Sequence, residues 1–211
     1  MVNIVFIILG LIFLVKGADF LIDGASNIAR KFKISEFVIG LTVIAVGTSL
    51  PELMVSIQSI LKGSPDLLVG NIVGSCICNL LLILGIISII KPIKIQKDSN
   101  IILMLFSILA VGIFGNMYGM ITKVEGILLL LIFSIFLLSS FKGEKEEKEG
   151  KQDSTIKSII FLILGIVLLK YGGDFVVENS TILAKDFNIS EKIIGVTIVA
   201  LGTSLPELVT S

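Results

Sequence analysis

The chain has no histidine and no tryptophan, and only two cysteines and four prolines among its 211 residues. Without histidine, and without a nucleophile set beside a base or a phosphate-cradling loop, nothing supports enzymatic chemistry. Neither sign of charge is in surplus: seventeen Lys and Arg face seventeen Asp and Glu, which gives no reason to expect a nucleic-acid partner. Cys76 and Cys78 stand two apart in a stretch that reads as helical, so their thiols point apart. They form neither an easy disulfide nor a good metal site, and read as packing residues. No prosthetic group is expected.

What the chain does have is apolar surface, 55% of its residues. Several runs reach the ~18 residues needed to cross about 30 Å of hydrocarbon, so the solvent to expect is a lipid bilayer. The first run, 2–15, has no basic region before it and no small-residue cleavage site after it. Its pattern also returns at 161–169, which is no place for a leader. It reads as structure.

That return is part of an internal repeat. Phe6–Ser56 aligns without a gap on Phe161–Ser211, at an offset of 155 residues and with about half the positions identical. The landmarks pair Gly17 with Gly172, Asp19 with Asp174, Gly40 with Gly195, and Gly47–Leu53 with Gly202–Leu208. Around them the pattern predicts seven spans: 3–29, 35–61 (interrupted at 47–51), 66–90 (interrupted by glycine), 100–114, 124–141, 156–185, and a last one beginning at 190. The charged run 142–153 reads as a solvated linker or a frayed helix. The expected organisation is a first repeat of five helices over 1–141, a linker over 142–155 and the start of a second repeat over 156–211.

Five spans before the second copy insert it upside down relative to the first. Basic residues test this independently. Loops after odd-numbered spans carry eleven, among them Arg30, Lys31 and Lys33, and loops after even-numbered spans carry four, Lys62, Lys123, Lys185 and Lys192. The bias places the amino terminus outside the cell membrane and the 142–155 loop in the cytoplasm. The chain reaches Ser211 inside the motif-bearing helix of the second copy. Repeat logic therefore predicts an eighth, ninth and tenth helix, and these residues as part of a longer whole. The expected fold class is all-α: a polytopic membrane protein of inverted-topology repeats with discontinuous helices, seven spans of an expected ten.

Glu52 and Glu207 carry the chemistry. An acidic side chain near the middle of a span costs at least ~2.5–3.5 kcal/mol unless something compensates it. The lysines inside spans, Lys16 and Lys170, sit near helix ends, where snorkelling accounts for them. A bound cation is the natural partner. Each glutamate follows a proline (Pro51, Pro206) that must break its helix, and broken backbone at membrane depth survives only against protein or a water-filled cavity. The carbonyls around Ala45 and Ala200 and the hydroxyls of Thr48, Ser49, Thr203 and Ser204 supply neutral oxygens beside the acids. A hard cation such as calcium takes ~6–8 oxygens, carboxylates among them. Ser75 and Asn79, four apart on one helix face, add a hydroxyl and an amide oxygen. Gly70 and Gly74 share a face as an ordinary close-packing pair. Asp19, Asp23, Asp174 and Glu178 read as interfacial.

The paired Gly-Thr-Ser-Leu-Pro-Glu motifs and the run Gly70-Asn71-Ile72-Val73-Gly74-Ser75-Cys76-Ile77-Cys78-Asn79 resemble the alpha repeats of the calcium/cation antiporter superfamily, specifically its prokaryotic sodium/calcium exchangers. The resemblance implies ten helices around a four-ion site. It places ion ligands on Thr48, Ser49, Glu52, Ser75, Asn79, Thr203, Ser204 and Glu207 and on the carbonyls of Ala45 and Ala200. It implies transported sodium and calcium as the bound ions, in the lipid bilayer; the oligomeric state stays open, with a monomer favoured. Calcium would be held chiefly by the two glutamates, and sodium by the neutral oxygens around them. The helices that follow in the family, with a further serine and acid, have no counterpart in these residues. Three rival readings stay open: a proton- or potassium-coupled calcium antiporter, a cation channel, and a non-transporting fragment that needs the missing helices.

Overall fold

The computed structural model describes residues 2–34, 36–91, 122–140 and 154–210, with Phe106 and Leu109 besides. The regular structure among them is helical throughout. Among the described residues three helices are long and apolar enough to cross a membrane, and a bent pair makes a fourth candidate. Of the predicted spans, 100–114 lies outside the described residues apart from Phe106 and Leu109, and so does the linker from 142 to 153.

Residues 1–92 and 146–211 form one compact unit, and residues 93–145 a second. In the first unit, α1 (Val2–Lys31) is followed by α2 (36–48), α3 (Leu50–Leu61) and α4 (Pro65–Ile90). In the second, α5 (Lys123–Ser140) coincides with the fifth predicted span. Its start is a capping box. The Thr122 N–H and hydroxyl both donate to Glu125 Oε2, at 2.6 and 2.8 Å, and the Glu125 N–H returns to Thr122 Oγ1. The first unit resumes with α6 (Thr155–Phe187), α7 (191–203) and α8 (Leu205–Thr210).

The two longest helices, α1 and α6, pack antiparallel, and small residues set their spacing. A Cβ added at Gly10 would lie 2.8 Å from the Gly172 carbonyl oxygen, one at Gly17 2.9 Å from that of Gly165, and one at Gly24 2.8 Å from that of Ser158. The added atom meets backbone in each case, which cannot swing aside. Between these close approaches, Ile7 and Leu14 of α1 and Leu169 and Val176 of α6 are buried. Small and large residues thus alternate at three- and four-residue steps, as in a heptad seam. In lipid such backbone proximity counts for more than apolar burial, because hydrocarbon solvates leucine as well as protein does. Phe20 and Phe161, with ring centroids 5.1 Å apart, flank the same seam.

The repeat in the sequence recurs as repeated local geometry. Helix α1 ends in a left-handed residue, Lys33 (φ 57°), and α6 ends in one at the equivalent position, Asn188 (φ 53°). Both α2 and α7 contain a π-helical stretch, Gly40–Ile44 and Gly195–Val199, five residues before the break. Helix α4 differs from expectation. It is not interrupted at its glycines but runs from Pro65 to Ile90, with a π-helical stretch at Cys78–Ile83. Gly70 and Gly74 instead admit α7: a Cβ at Gly70 would lie 2.5 Å from the Lys192 carbonyl, and one at Gly74 2.5 Å from the Ala200 Cβ. Cys76 is exposed, Cys78 is buried, and both are free.

Candidate ion site

The site is built where α2 meets α3 and α7 meets α8. Pro51 and Pro206 have no N–H for the carbonyls four residues back, Gly47 and Gly202, so neither helix can continue through them. One residue leaves the helical region at each break. Ser49 takes φ −87°, ψ 4°, and Ser204 takes φ −84°, ψ 4°. Between Thr42–Thr48 and Leu50–Leu61 the axis turns by 46°. The glutamate stands in the first turn of the helix that follows each break.

The two breaks face each other and exchange hydrogen bonds reciprocally. Ser49 Oγ donates to Glu207 Oε1 at 3.2 Å, and Ser204 Oγ donates to Glu52 Oε1 at 3.1 Å. The structure therefore brings the two acids, 155 residues apart in sequence, into one site through the serines between them. The threonines turn back on their own helices: Thr48 Oγ1 to the Ala45 carbonyl and Thr203 Oγ1 to the Ala200 carbonyl, each at 3.3 Å. The Ala200 carbonyl also accepts the Ser204 N–H at 3.1 Å.

Helix α4 closes the site from a third side. Ser75 Oγ lies 3.4 Å from Thr203 Oγ1. Asn79 sits in the π-helical stretch that packs against α8. Its Oδ1 is buried and, like Glu52 Oε2, has no hydrogen-bond partner among the described residues. These are acceptor oxygens held away from water with no donor to meet them, which is costly and uncommon in a folded protein. All ten residues singled out in the sequence thus lie on α2, α3, α4, α7 and α8 or at the two breaks between them. Lys16 pairs with Asp19 at 3.2 Å, while Lys62 pairs with Asp174 at 3.0 Å and Glu178 at 3.6 Å. None of these bridges involves Glu52.

One residue escaped the sequence reading. Asn71 is fully buried and lies inside the network: its Nδ2 is 3.1 Å from the Glu52 carbonyl and 3.4 Å from Ser56 Oγ, and Thr203 Oγ1 donates to its Oδ1 at 3.3 Å. The signal that could have found it is spacing. Asn71, Ser75 and Asn79 stand four apart in succession, a polar stripe along one face of an apolar helix.

Fold and site together define a class, a multi-pass membrane protein whose polar centre lies at the crossing of two broken helices. The profile of the sodium/calcium exchanger protein family matches residues 2–142 and 157–211, and the chain belongs to that family, one of exchangers rather than enzymes. It is 38% identical over 212 residues to an uncharacterised membrane protein of Methanocaldococcus jannaschii, with 98% of this chain and 70% of that protein aligned. It is 32% identical over 255 residues to the sodium/calcium exchanger MaX1 of Methanosarcina acetivorans, covering 99% of this chain and 73% of MaX1. Among solved structures, the sodium-calcium exchanger NCX_Mj soaked with sodium and strontium ions matches 98% of this chain and 70% of its own length, with a TM-score of 0.61 and 38% identity.

Proposed function

We propose that the chain is a secondary active antiporter that exchanges sodium for calcium by alternating access. The observation that carries this reading is the cluster of acceptor oxygens between the two breaks. Two carboxylates are cross-bridged by serines, with Glu52 Oε2 and Asn79 Oδ1 left without a donor among the described residues. Like charges in a water-poor setting repel unless a cation stands between them, and at membrane depth that cation is the compensation the acids need. Glu52 and Glu207 would hold calcium. Thr48, Ser49, Ser75, Asn79, Thr203, Ser204 and the Ala45 and Ala200 carbonyls would supply the neutral oxygens that sodium uses when it replaces calcium.

In this reading the chain contributes seven spans in two inverted repeats, 1–141 and 156–211, joined by a cytoplasmic linker at 142–155, with the amino terminus outside. The reciprocal contacts of α1 and α6 support the inversion. Gly10 meets Gly172 and Gly17 meets Gly165, and Gly172 and Gly165 are the repeat equivalents of Gly17 and Gly10. A helix pair that meets itself in this way is related by a two-fold axis across the helices, which for spans lies in the membrane plane. These two helices would slide as gates past the fixed site.

Radiolabelled calcium uptake into proteoliposomes tests the coupling. An outward sodium gradient should drive uptake, and dissipating it with a sodium ionophore should stop it. Uptake driven by a pH or potassium gradient but not by sodium would replace the coupling ion. Flux that needs no counter-ion would make the protein a channel.

A further inference from the structure

Asn71 deserves a role beyond packing, because of what its amide does at both ends. It is fully buried in an apolar helix, and its hydrogen bonds join the two breaks: Nδ2 to the Glu52 carbonyl on one, Oδ1 to the Thr203 hydroxyl on the other. A hydroxyl has one proton and can offer a cation only its lone pairs. For Thr203 to present an oxygen to an ion, its proton must go elsewhere. Three acceptors stand within reach, the Ala200 carbonyl and Asn71 Oδ1, both at 3.3 Å, and Ser75 Oγ, the most distant at 3.4 Å. The Ala200 carbonyl already takes the Ser204 N–H. The same amide's Nδ2 lies 3.1 Å from the Glu52 carbonyl and 3.4 Å from Ser56 Oγ, so it meets the backbone of the first break and not the carboxylate.

We propose that Asn71 is a positioning residue of the ion site: by accepting the Thr203 proton it turns that hydroxyl's lone pairs toward a sodium ion, and it does so without touching the ion itself. This rests on the reading of Thr203 as a ligand, and the role is specific to sodium. Calcium, held chiefly by carboxylates, depends less on where one hydroxyl proton points, whereas sodium on neutral oxygens depends on each of them.

The test measures calcium binding to the purified full chain, and the sodium concentration that displaces half of it, for wild type, Asn71→Leu, Asn71→Asp, Thr203→Val and the double variant Asn71→Leu/Thr203→Val. Asn71→Leu should raise the half-displacing sodium concentration about tenfold, the factor carried by one buried hydrogen bond of ordinary strength, and change calcium affinity by less than about twofold. Asn71→Asp keeps the acceptor for Thr203 and should recover at least half of the loss on a logarithmic scale. The double variant should be no worse than Thr203→Val alone, because Asn71 acts through that hydroxyl. Independent, additive losses would overturn the proposal, and so would equal losses for both ions in a variant that elutes as wild type by size exclusion. If wild type fails to bind sodium-displaceable calcium, the antiporter reading falls. If wild type binds and Asn71→Leu matches it, only the role of Asn71 falls.

Discussion

At the scale of single residues, the site rests on a pair of serine-to-carboxylate bonds of nearly equal length, 3.2 Å from Ser49 to Glu207 and 3.1 Å from Ser204 to Glu52. Bonds to a charged acceptor are roughly twice as strong as neutral ones. Ser49→Ala and Ser204→Ala should therefore each weaken calcium binding about tenfold, and by similar factors, since each removes one half of a reciprocal pair. Isothermal titration of the purified variants checks this; a large loss in one and none in the other would break the equivalence of the copies. The glutamates, the prolines before them and the hydroxyls beside them were legible in the sequence because an acid in an apolar run and a proline in a helix each have a cost that demands an explanation. Asn71 was not. An amide in a membrane helix is cheaper than a charge, and its meaning appears only when the second copy brings Thr203 to it.

At the scale of elements, two kinds of contact hold α6 in place, and their magnitudes differ. The Lys62 bridge to Asp174 and Glu178 joins the end of α3 to α6, but its side chains are only partly buried. Pairs of that kind contribute about 0–1 kcal/mol, so Lys62→Met should leave the thermal midpoint in detergent within a few degrees of wild type. A Cβ added at Gly172 would lie 2.8 Å from the Gly10 carbonyl oxygen. Gly172→Leu has no room without separating α1 from α6, a cost of ~1–3 kcal/mol or more, and should lower the midpoint well beyond the Lys62 variant. A thermal-shift series comparing the two decides whether backbone proximity or surface charge holds the pair. The sequence announced the long helices by hydropathy and their equivalence by repetition. The antiparallel seam was harder to see, because hydropathy gives length and not the face a helix presents. The π-helical stretch in α4 was also hidden. Its glycines suggested an interruption there, whereas their lack of side chains admits α7 while the helix continues.

At the scale of the whole molecule, two equivalent copies of the broken-helix motif place their acids around one ion. The expected orientation follows from the bias of basic residues between the loops. Single cysteines placed at Lys33 and Lys62, in a background with Cys76 and Cys78 replaced by alanine, should be labelled by a membrane-impermeant maleimide from opposite sides, Lys33→Cys from the cytoplasm and Lys62→Cys from outside. Labelling of both from one side would remove the topology. The claim itself is tested most directly by equilibrium binding of radiolabelled calcium to the purified protein, with Glu52→Gln and Glu207→Gln beside wild type. Saturable binding displaced by sodium is expected, with a loss of about a hundredfold or more in affinity in either single variant, since each removes one of two charges on the same ion. Wild-type affinity retained in both variants would contradict it.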